Sequence, residues 1–494
     1  MKRKYIGIII ITLFFGASFL PNIRGDIQQK NVISNELDFM LSLNIANEEE
    51  CEVNPINTLD LKNPFFEIND LKDFGQTAWG ATSADFNNDG YVDFAVSSAD
   101  SPRTHSTITI FYNDGNLGFS QDVVYIFSGK YIKDLDSGDY DRDGDIDLMF
   151  TYSETQGSHY TNGTIRLLYN NGENQFENST MVARHINRIH PELASADFDL
   201  DGDLDFICGE NPGNVELYLN DGSGNYSSAG IIDDWGMASW GVAAADFDGD
   251  GDDDFVVAAE TTQGESGEIY LKHNQWIESN YTIMFESGLG EKIFTLGFQQ
   301  KSACLISADY NNDGAMDFFA GAGAEIYLFI NRQGTFESFP VCRLPPSSEG
   351  NAEDLEFGSM TPADYNNDGY IDIVTGGVQG AVRLFISNHP LAVIMKPRNT
   401  YLYLYDEEKF PILPKNGVIV VGKLTIEAAE IFRVEKVEFY VNLFKRSTVT
   451  MPPYNFTWGY GNPIIHLHTL KIKAYSTDGT TTSNDKITNV WRFL

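Results

Sequence analysis

The chain has 494 residues and a formal net charge of −38, with 71 acidic side chains against 33 basic ones. This length provides for two or three domains with a buried core. The acidity argues against a nucleic-acid partner, because a phosphate backbone requires a basic surface.

The N-terminal segment has the pattern of a secretory signal peptide. A basic start, Met1 to Lys4, precedes an apolar run from Tyr5 to Leu20 and then polar residues. An uncleaved anchor is the alternative, but sixteen helical residues reach only about 24 Å against a hydrocarbon core of ~30 Å. We therefore predict a signal peptide over 1–25, a polar linker over 26–57 and no membrane span after cleavage. The mature chain would be secreted or displayed on the extracellular surface.

One acidic nonapeptide occurs six times between residues 85 and 372. The copies, here called loops 1 to 6, are DFNNDGYVD (85–93), DYDRDGDID (139–147), DFDLDGDLD (197–205), DFDGDGDDD (246–254), DYNNDGAMD (309–317) and DYNNDGYID (364–372). Each places oxygen-bearing side chains at alternate positions and glycine at the sixth, which permits a sharp bend. This is the pattern of a calcium loop, in which the seventh residue contributes its backbone carbonyl.

The pattern predicts up to six bound Ca²⁺ ions, with ligands at positions one, three, five, seven and nine. The candidate ligands are Asp85, Asn87, Asp89, Tyr91 and Asp93; Asp139, Asp141, Asp143, Asp145 and Asp147; Asp197, Asp199, Asp201, Asp203 and Asp205; Asp246, Asp248, Asp250, Asp252 and Asp254; Asp309, Asn311, Asp313, Ala315 and Asp317; and Asp364, Asn366, Asp368, Tyr370 and Asp372. Loops 1, 5 and 6 have asparagine at position three and so carry less charge, which predicts weaker binding. Six divalent ions would reduce the formal net charge to about −26.

The loops should join β-strands and not helices. No copy has the bidentate glutamate at position twelve that an EF-hand uses, and apolar β-favouring runs follow each loop. Position two is aromatic in every copy and position eight is apolar in all but loop 4, so each loop should pack against a hydrophobic layer.

A second element recurs between the loops: an alternating strand that ends in a tight Asn-Gly or Asp-Gly turn before an aromatic residue. Examples are LYNNGENQF (168–176) and LYLNDGSGNY (217–226). A repeat of 49 to 63 residues with about four short strands is typical of a propeller blade. The last unit lacks its outer strand, and the spacing of Phe66 before loop 1 matches that of the other outer strands. We therefore predict that residues from Asn63 to about Phe74 close the ring, giving six blades.

These loops, followed by apolar strands and LYxNxG hairpins, resemble the FG-GAP and VCBS repeats of integrin-α-like β-propellers. The resemblance implies an all-β fold, with a calcium-binding propeller over 58–389. Seven blades are common in that family, so seven is the alternative to six.

From residue 390 to 494 the loops cease, and alternating runs such as Val437 to Val441 predict a small β-sandwich of seven strands. The segments VEFYVN, PPYNFTW and HTLKIKAYSTDG resemble the Ig-like modules of bacterial and archaeal surface proteins, which serve as spacers or adhesive units. Of the four cysteines, Cys304 and Cys342 are the closest in sequence, but three disulfide pairings are open.

A ligand site is expected on the rim opposite the loops. Residues six positions before a loop should lie near that rim, and this position holds Trp79 in repeat one and Trp240 in repeat four. These two, with Trp235, could form an aromatic platform for a sugar or peptide; the alternative is that they fill the central channel.

The sequence thus predicts a non-catalytic protein that recognises an extracellular glycan or protein, with an open oligomeric state. A polysaccharide lyase or hydrolase is one alternative, because a carboxylate pair cannot be recognised from sequence, and a structural envelope component is another. No nucleophile-elbow, zincin or P-loop motif occurs.

Overall fold

A computed structural model describes most of residues 65–493. The gaps are 76, 100–104, 129–131, 157–158, 173–174, 177–178, 212, 235–237, 261–266, 278, 280–283, 286–289, 297–303, 323–324, 344–356, 378–379, 398–400, 412–417, 460–465 and 478–481. The predicted signal peptide, the predicted linker and Cys51 lie outside the described residues. The described part contains no helix that is long and apolar enough to cross a membrane.

The described strands before residue 388 form six four-stranded antiparallel sheets, here called blades 1 to 6. Strand β1 (Phe66–Asp73) comes first in the chain and belongs to blade 6. Blades 1 to 3 consist of β2 (Ala78–Ala84), β3 (Asp93–Ala99), β4 (His105–Asn113) and β5 (Phe119–Ser128); β6 (Ile132–Gly138), β7 (Asp147–Gln156), β8 (His159–Leu168) and β9 (Thr180–Ile186); and β10 (Ile189–Ala196), β11 (Asp205–Asn211), β12 (Asn214–Asn220) and β13 (Tyr226–Asp234).

Blades 4 and 5 repeat this order, and blade 6 combines both ends of the propeller sequence. The strands are β14 (Ser239–Ala245), β15 (Asp254–Glu260), β16 (Gly267–Lys272) and β17 (Glu291–Thr295); β18 (Cys304–Ala308), β19 (Asp317–Ala322), β20 (Glu325–Asn331) and β21 (Phe336–Arg343); and β22 (Phe357–Ala363), β23 (Asp372–Gly377) and β24 (Ala381–Ser387) with β1. The predicted closing strand is confirmed, since β1 pairs with β24 from Phe66 opposite Ser387 to Asp73 opposite Ala381.

The first strands of the blades contact one another in order, and β22 of blade 6 contacts β2 of blade 1. The fold is therefore an all-β propeller. The second strand of each blade is buried on both faces, as in β15, where Phe255 to Ala259 are all at most 2% exposed. This explains their nearly continuous apolar sequences, whereas outer strands such as β13 are largely exposed and polar.

Every loop connects the first and second strands of a blade, so all six lie at one rim, here called the loop rim. The prediction that the loops join strands and pack on apolar layers is confirmed. Their position-two rings are at most 1% exposed; these residues are Phe86, Tyr140, Phe198, Phe247, Tyr310 and Tyr365.

The C-terminal part contains ten described strands in two sheets, where seven strands were expected. They are β25 (Ala392–Lys396), β26 (Tyr401–Leu404), β27 (Glu407–Pro411), β28 (Val418–Val421), β29 (Leu424–Glu430), β30 (Val434–Val441), β31 (Phe444–Val449), β32 (Tyr454–Trp458), β33 (His466–Ser476) and β34 (Thr482–Phe493). The sheet orders are β25-β29-β32 and β27-β26-β28-β34-β33-β30-β31. Two parallel pairings, β26 with β28 and β28 with β34, account for part of the added width. The Ig-like assignment and the domain boundaries stay predictions.

The C-terminal module packs on the loop rim of blades 5 and 6. The ring of Phe432 lies 5.8 Å from that of Tyr310 and 5.4 Å from that of Tyr370, and Asn311 Nδ2 donates to Ile431 O at 3.2 Å. One continuous hydrophobic core joins the two parts.

Cys208, Cys304 and Cys342 are free thiols, so no disulfide forms among the described cysteines. Cys304 lies on β18 and Cys342 on β21, which are the first and fourth strands of blade 5. Three strand spacings amount to about 14 Å, twice the reach of a disulfide at ~7 Å between Cα atoms.

Candidate metal centres

All six loops share one backbone conformation, which the first aspartate organises. In loop 2, Asp139 accepts hydrogen bonds from the backbone N–H groups of Asp143 at 3.0 Å and Gly144 at 3.1 Å. Gly144 has φ of 96°, and position four is also left-handed, at 62° for Arg142. The glycine is required at position six because side chains rarely adopt such an angle.

Loops 2, 3 and 4 bring three carboxylates together. In loop 2, Asp139, Asp141 and Asp147 each place one oxygen within 4.8 Å of the other two. The corresponding groups are Asp197, Asp199 and Asp205 in loop 3, and Asp246, Asp248 and Asp250 in loop 4. These are positions one, three and nine, or one, three and five, of the predicted ligand set.

The donor set of loops 2 and 3 fits a cation. Asp141 Oδ1 and Asp199 Oδ1 are shielded from solvent and have no hydrogen-bond partner in the structure. Burial, and next the neighbouring carboxylates, raise the pKa of both side chains. A hard divalent ion prefers such oxygen ligands, and its charge would offset this repulsion.

Loops 1, 5 and 6 differ at position three. Asn87 Nδ2 donates to Asp89 Oδ2 at 3.0 Å, and the same bond joins Asn311 to Asp313 and Asn366 to Asp368. The asparagine amide therefore neutralises part of the charge that a cation would otherwise meet. This contact agrees with the weaker binding predicted for these loops.

The position-seven side chains of loops 2 and 3 turn toward the preceding loop. Asp145 Oδ1 accepts from Asn88 Nδ2 at 3.2 Å, and Asp203 Oδ1 lies 2.6 Å from Arg142 Nη1. Only the backbone carbonyl of position seven is then left for a metal, as the sequence pattern predicts. This explains why Tyr91, Ala315 and Tyr370 can occupy the same position.

We expect Asp143→Ala to reduce the number of bound calcium ions by about one, because a position-five carboxylate is lost from loop 2. Asp145→Ala, two residues away, should leave the number unchanged because its side chain faces loop 1. Native mass spectrometry of the calcium-loaded chain measures both. Equal losses in the two variants would contradict this assignment of ligands.

The ninth aspartate of each loop is a structural link as well as a candidate ligand. Asp147 Oδ2 accepts from Tyr140 N at 3.3 Å, and Oδ1 accepts from Asn170 N at 2.9 Å. Asp147 thereby ties the loop to the hairpin after the third strand of its blade. Burial raises the pKa of the position-nine carboxyl to about 7 in loops 1, 2, 3, 5 and 6.

The hairpin asparagines form a ring of contacts between blades, which the sequence analysis did not predict. In blades 1 to 5 the asparagine Nδ2 donates to the position-two carbonyl of the preceding blade's loop. The donors and acceptors are Asn113 and Tyr365, Asn170 and Phe86, Asn220 and Tyr140, Asn274 and Phe198, and Asn331 and Phe247. Blade 6 has Ser387 at this place, which contacts the Tyr310 hydroxyl at 3.2 Å. The recurring asparagine of the LYxN hairpins was the available signal.

Loop 4 has an additional neighbour in His273, also missed from the sequence. Its Nδ1 lies 3.0 Å from Asp248 Oδ2 and 3.4 Å from Asp254 Oδ2. The neighbouring Asp254 carboxylate raises the pKa of His273. A protonated imidazole and a metal ion would compete for these oxygens.

At the opposite rim, Trp79 lies at the start of β2, as predicted. The Lys133 ammonium, from blade 2, lies 4.7 Å from the centre of its ring, and Lys133 Nζ pairs with Glu192 Oε1 of blade 3 at 2.5 Å. This pair is about nine-tenths buried. The backbone of Trp240 starts β14, but its side chain and the whole of Trp235 lie outside the described residues, so the platform stays a prediction.

A further buried group links blades 2 and 3 near that rim. His185, Cys208 and Glu210 lie within 4.8 Å of one another through one ligand atom each. Glu210 contacts the His185 ring and pairs with Arg188 at 3.1 Å, and burial lowers the pKa of His185 to about 4. Because the glutamate is already neutralised by Arg188, we interpret the group as an ion-pair link between blades.

Comparison with known proteins agrees with this architecture. The FG-GAP-like repeat matches residues 85–150, 197–257 and 309–375, which contain loops 1 to 6 in pairs. The fold is thus a β-propeller, and all six loops lie within the segments that this repeat matches. No curated protein sequence matches the chain significantly.

Two solved structures are similar in part. A lectin from Agrocybe aegerita, described with its recognition of non-reducing terminal N-acetylglucosamine, is 18% identical, with 60% of this chain and 74% of that chain covered and a TM-score of 0.36. AofleA from Arthrobotrys oligospora is 11% identical, with 66% and 88% covered and a TM-score of 0.41.

Proposed function

We propose that the protein is a secreted or surface-displayed calcium-binding propeller that recognises an extracellular glycan or protein without catalysis. The observation that carries the calcium assignment is the pair of shielded, unbonded oxygens, Asp141 Oδ1 and Asp199 Oδ1, each within a group of three carboxylates. When bound, calcium would neutralise the crowded carboxylates and hold the loop closed. The extracellular environment supplies this ion at concentrations that suit such sites.

The recognition role is supported by the separation of the two rims. The loop rim is occupied by the candidate metal centres and, at blades 5 and 6, by the C-terminal module. The opposite rim is left for a ligand, and there Trp79 combines an apolar ring with the charges of Lys133 and Glu192. A half-buried indole beside fixed charges suits a sugar ring, which presents both C–H faces and hydroxyl groups. The C-terminal module would act as an Ig-like spacer or adhesive unit.

The test is a glycan and protein array probed with the calcium-loaded mature chain. We expect saturable binding that Trp79→Ala reduces at least about tenfold, as for a stacking side chain in a site centre. Ile126→Ala is the matched control, because Ile126 is an exposed residue on the outer strand of the same blade. Binding that Trp79→Ala leaves unchanged, with folding intact, would remove the aromatic site.

An assay on polysaccharides distinguishes the recognition function from the two alternatives, an enzyme and a structural envelope component. A polysaccharide panel incubated with the chain should show no new reducing ends and no unsaturated products. Turnover would favour the lyase or hydrolase, and neither binding nor turnover would favour a structural envelope component.

A further inference from the structure

The C-terminal module differs in charge from the rest of the chain. Residues 390–494 contain 13 Lys and Arg against 9 Asp and Glu, a net charge of +4, whereas residues 1–389 carry −42. In the strands of the seven-stranded sheet, every second side chain is buried, and the side chains between them lie on the outer face. It includes five lysines, here called the lysine face: Lys436, Lys445, Lys471, Lys473 and Lys486.

The lysine face carries an excess of positive charge. Its one carboxylate, Glu438, accepts from the Tyr440 and Tyr475 hydroxyls and from Lys445 Nζ at 2.6, 3.0 and 3.0 Å. Two other lysines lie over a tyrosine ring: Lys436 Nζ and Lys473 Nζ are 4.6 and 4.8 Å from the ring centre of Tyr475. Lys436 Nζ also lies 3.9 Å from Oε1 of its sequence neighbour Glu435. The five ammonium groups of the described face therefore meet two carboxylates, Glu435 and Glu438, and an excess of positive charge remains.

At one end of the same sheet, large apolar side chains project into solvent. They lie after β26, at the turn between β30 and β31, and at the paired ends of β33 and β34. We call these five residues the apolar rim: Tyr405, Leu443, Phe444, Leu467 and Trp491. Leu443 is 93% exposed and Phe444 66% exposed at the turn between β30 and β31. Leu467 and Trp491 face each other across β33 and β34. A cluster of this kind marks an interaction site in a way that a single exposed leucine does not.

The turn that presents Leu443 is fixed by hydrogen bonds. Asn442 has φ of 57°, its N–H donates to Thr469 O at 2.7 Å, and its Oδ1 accepts from Thr469 N at 3.0 Å. The exposed side chains are thus held outward by an ordered backbone. Lys445 and Arg446 follow immediately in sequence and are also exposed.

The apolar rim lies at the end of the module that is remote from the propeller. Strand β30 begins beside Ile431 and Phe432, which contact the loop rim, and ends at Val441 beside the exposed turn. Its eight residues span about 26 Å at ~3.3 Å per residue. This exceeds the Debye length of about 8 Å at physiological salt, so the acidic propeller would be screened from whatever binds the rim.

We propose that the apolar rim and the lysine face together dock the module on an anionic lipid surface. The rim is made of turn tips and strand ends whose large apolar side chains are exposed, which suits insertion into the headgroup region. Trp and Tyr side chains favour that region, and the adjacent lysines complement anionic headgroups. The proposal adds peripheral lipid attachment to the recognition function and is independent of it.

The test is co-sedimentation of the calcium-loaded mature chain with phosphatidylcholine vesicles, with and without phosphatidylserine. We expect binding to the anionic vesicles that Leu443→Ser with Phe444→Ser weakens at least about tenfold, because two inserting side chains are lost. Met451→Ser is the matched control, because Met451 is 73% exposed but lies at the opposite end of the β30–β31 hairpin. This variant should bind the vesicles with an affinity within about twofold of the wild type.

Further measurements test the contribution of the lysines and distinguish insertion of the rim from other modes of attachment. Lys445→Gln and Lys471→Gln should each weaken binding to anionic vesicles roughly fivefold and leave binding to neutral vesicles unchanged. If the chain instead bound lipid through calcium bridges between the loops and the headgroups, the double variant of Leu443 and Phe444 would still bind the vesicles. Such binding would overturn the proposal. Absence of wild-type binding, or sedimentation velocity showing self-association through the rim, also overturns it. Loss of glycan binding in the Trp79 test affects none of these outcomes.

Discussion

Chelation of calcium is expected to lower the melting temperature of the chain by roughly 10–15 °C. An ion that binds only the folded state adds about 2.7 kcal/mol at a hundredfold excess over Kd. Loops 2, 3 and 4, which assemble three carboxylates each, would together contribute about 8 kcal/mol. For a propeller of about 330 residues, the entropy of unfolding is roughly 0.7 kcal/mol/K, so one kcal/mol corresponds to ~1.5 °C. Differential scanning calorimetry with and without a chelator measures the shift.

Adding calcium or magnesium back to the chelated protein is the control for this experiment. Excess calcium should restore the melting temperature, whereas magnesium should restore little, because the smaller ion requires a stricter octahedral arrangement and retains its waters. A melting temperature that does not respond to chelator, together with no calcium in elemental analysis, would remove the calcium assignment. The assignment of an all-β propeller would stand in either case, because it rests on the pairing of the strands.

Asn331→Ala is expected to destabilise the propeller by about 2–4 kcal/mol. Asn331 is 2% exposed, and its Nδ2 donates to Phe247 O of blade 4 at 2.7 Å and to Met316 O of its own blade at 3.1 Å. Alanine would leave the buried Phe247 carbonyl without this donor, at about 1–3 kcal/mol, and the part-buried Met316 carbonyl, at about 1 kcal/mol. The backbone N–H would still donate to Asp317 Oδ1. Denaturant unfolding in saturating calcium gives the difference in free energy.

Asn116→Ala provides the matched comparison. Asn116 lies in the turn after β4, is exposed, and its amide donates only to Asp114 O of the same turn, at 3.3 Å. Its loss should cost under about 0.5 kcal/mol. If both variants cost the same small amount, the contacts between blades would not contribute to the stability of the ring.

Much of the fold follows from short patterns in the chain. The nonapeptides predict the sharp turns, and the apolar runs after them predict strands buried on both faces, as β15 illustrates. The spacing of Phe66 before loop 1 was sufficient to predict that β1 closes blade 6. These inferences succeed because loop geometry and strand burial depend on residues a few positions apart.

The candidate site was less completely predictable. The ligand positions could be assigned from their spacing, but the direction of the Asp145 and Asp203 side chains depends on Asn88 and Arg142 in the preceding loops. The sequence left the disulfide pairings open, because separation along the chain does not tell which strands of a sheet are adjacent. His273 could not be associated with loop 4 without the course of β16.

The amino-acid sequence by itself determined the repeat, the oxygen donors and their order within each loop, because a nine-residue turn is closed by its own backbone and side chains. Only the tertiary structure decided which groups meet between blades: the asparagine contacts, the position of Lys133 over Trp79, and the docking of Phe432 on Tyr310. It also decided which apolar side chains remain exposed. The physical reason is that these contacts join residues tens to hundreds of positions apart, and their geometry is set by the closure of the ring and the packing of the module against it.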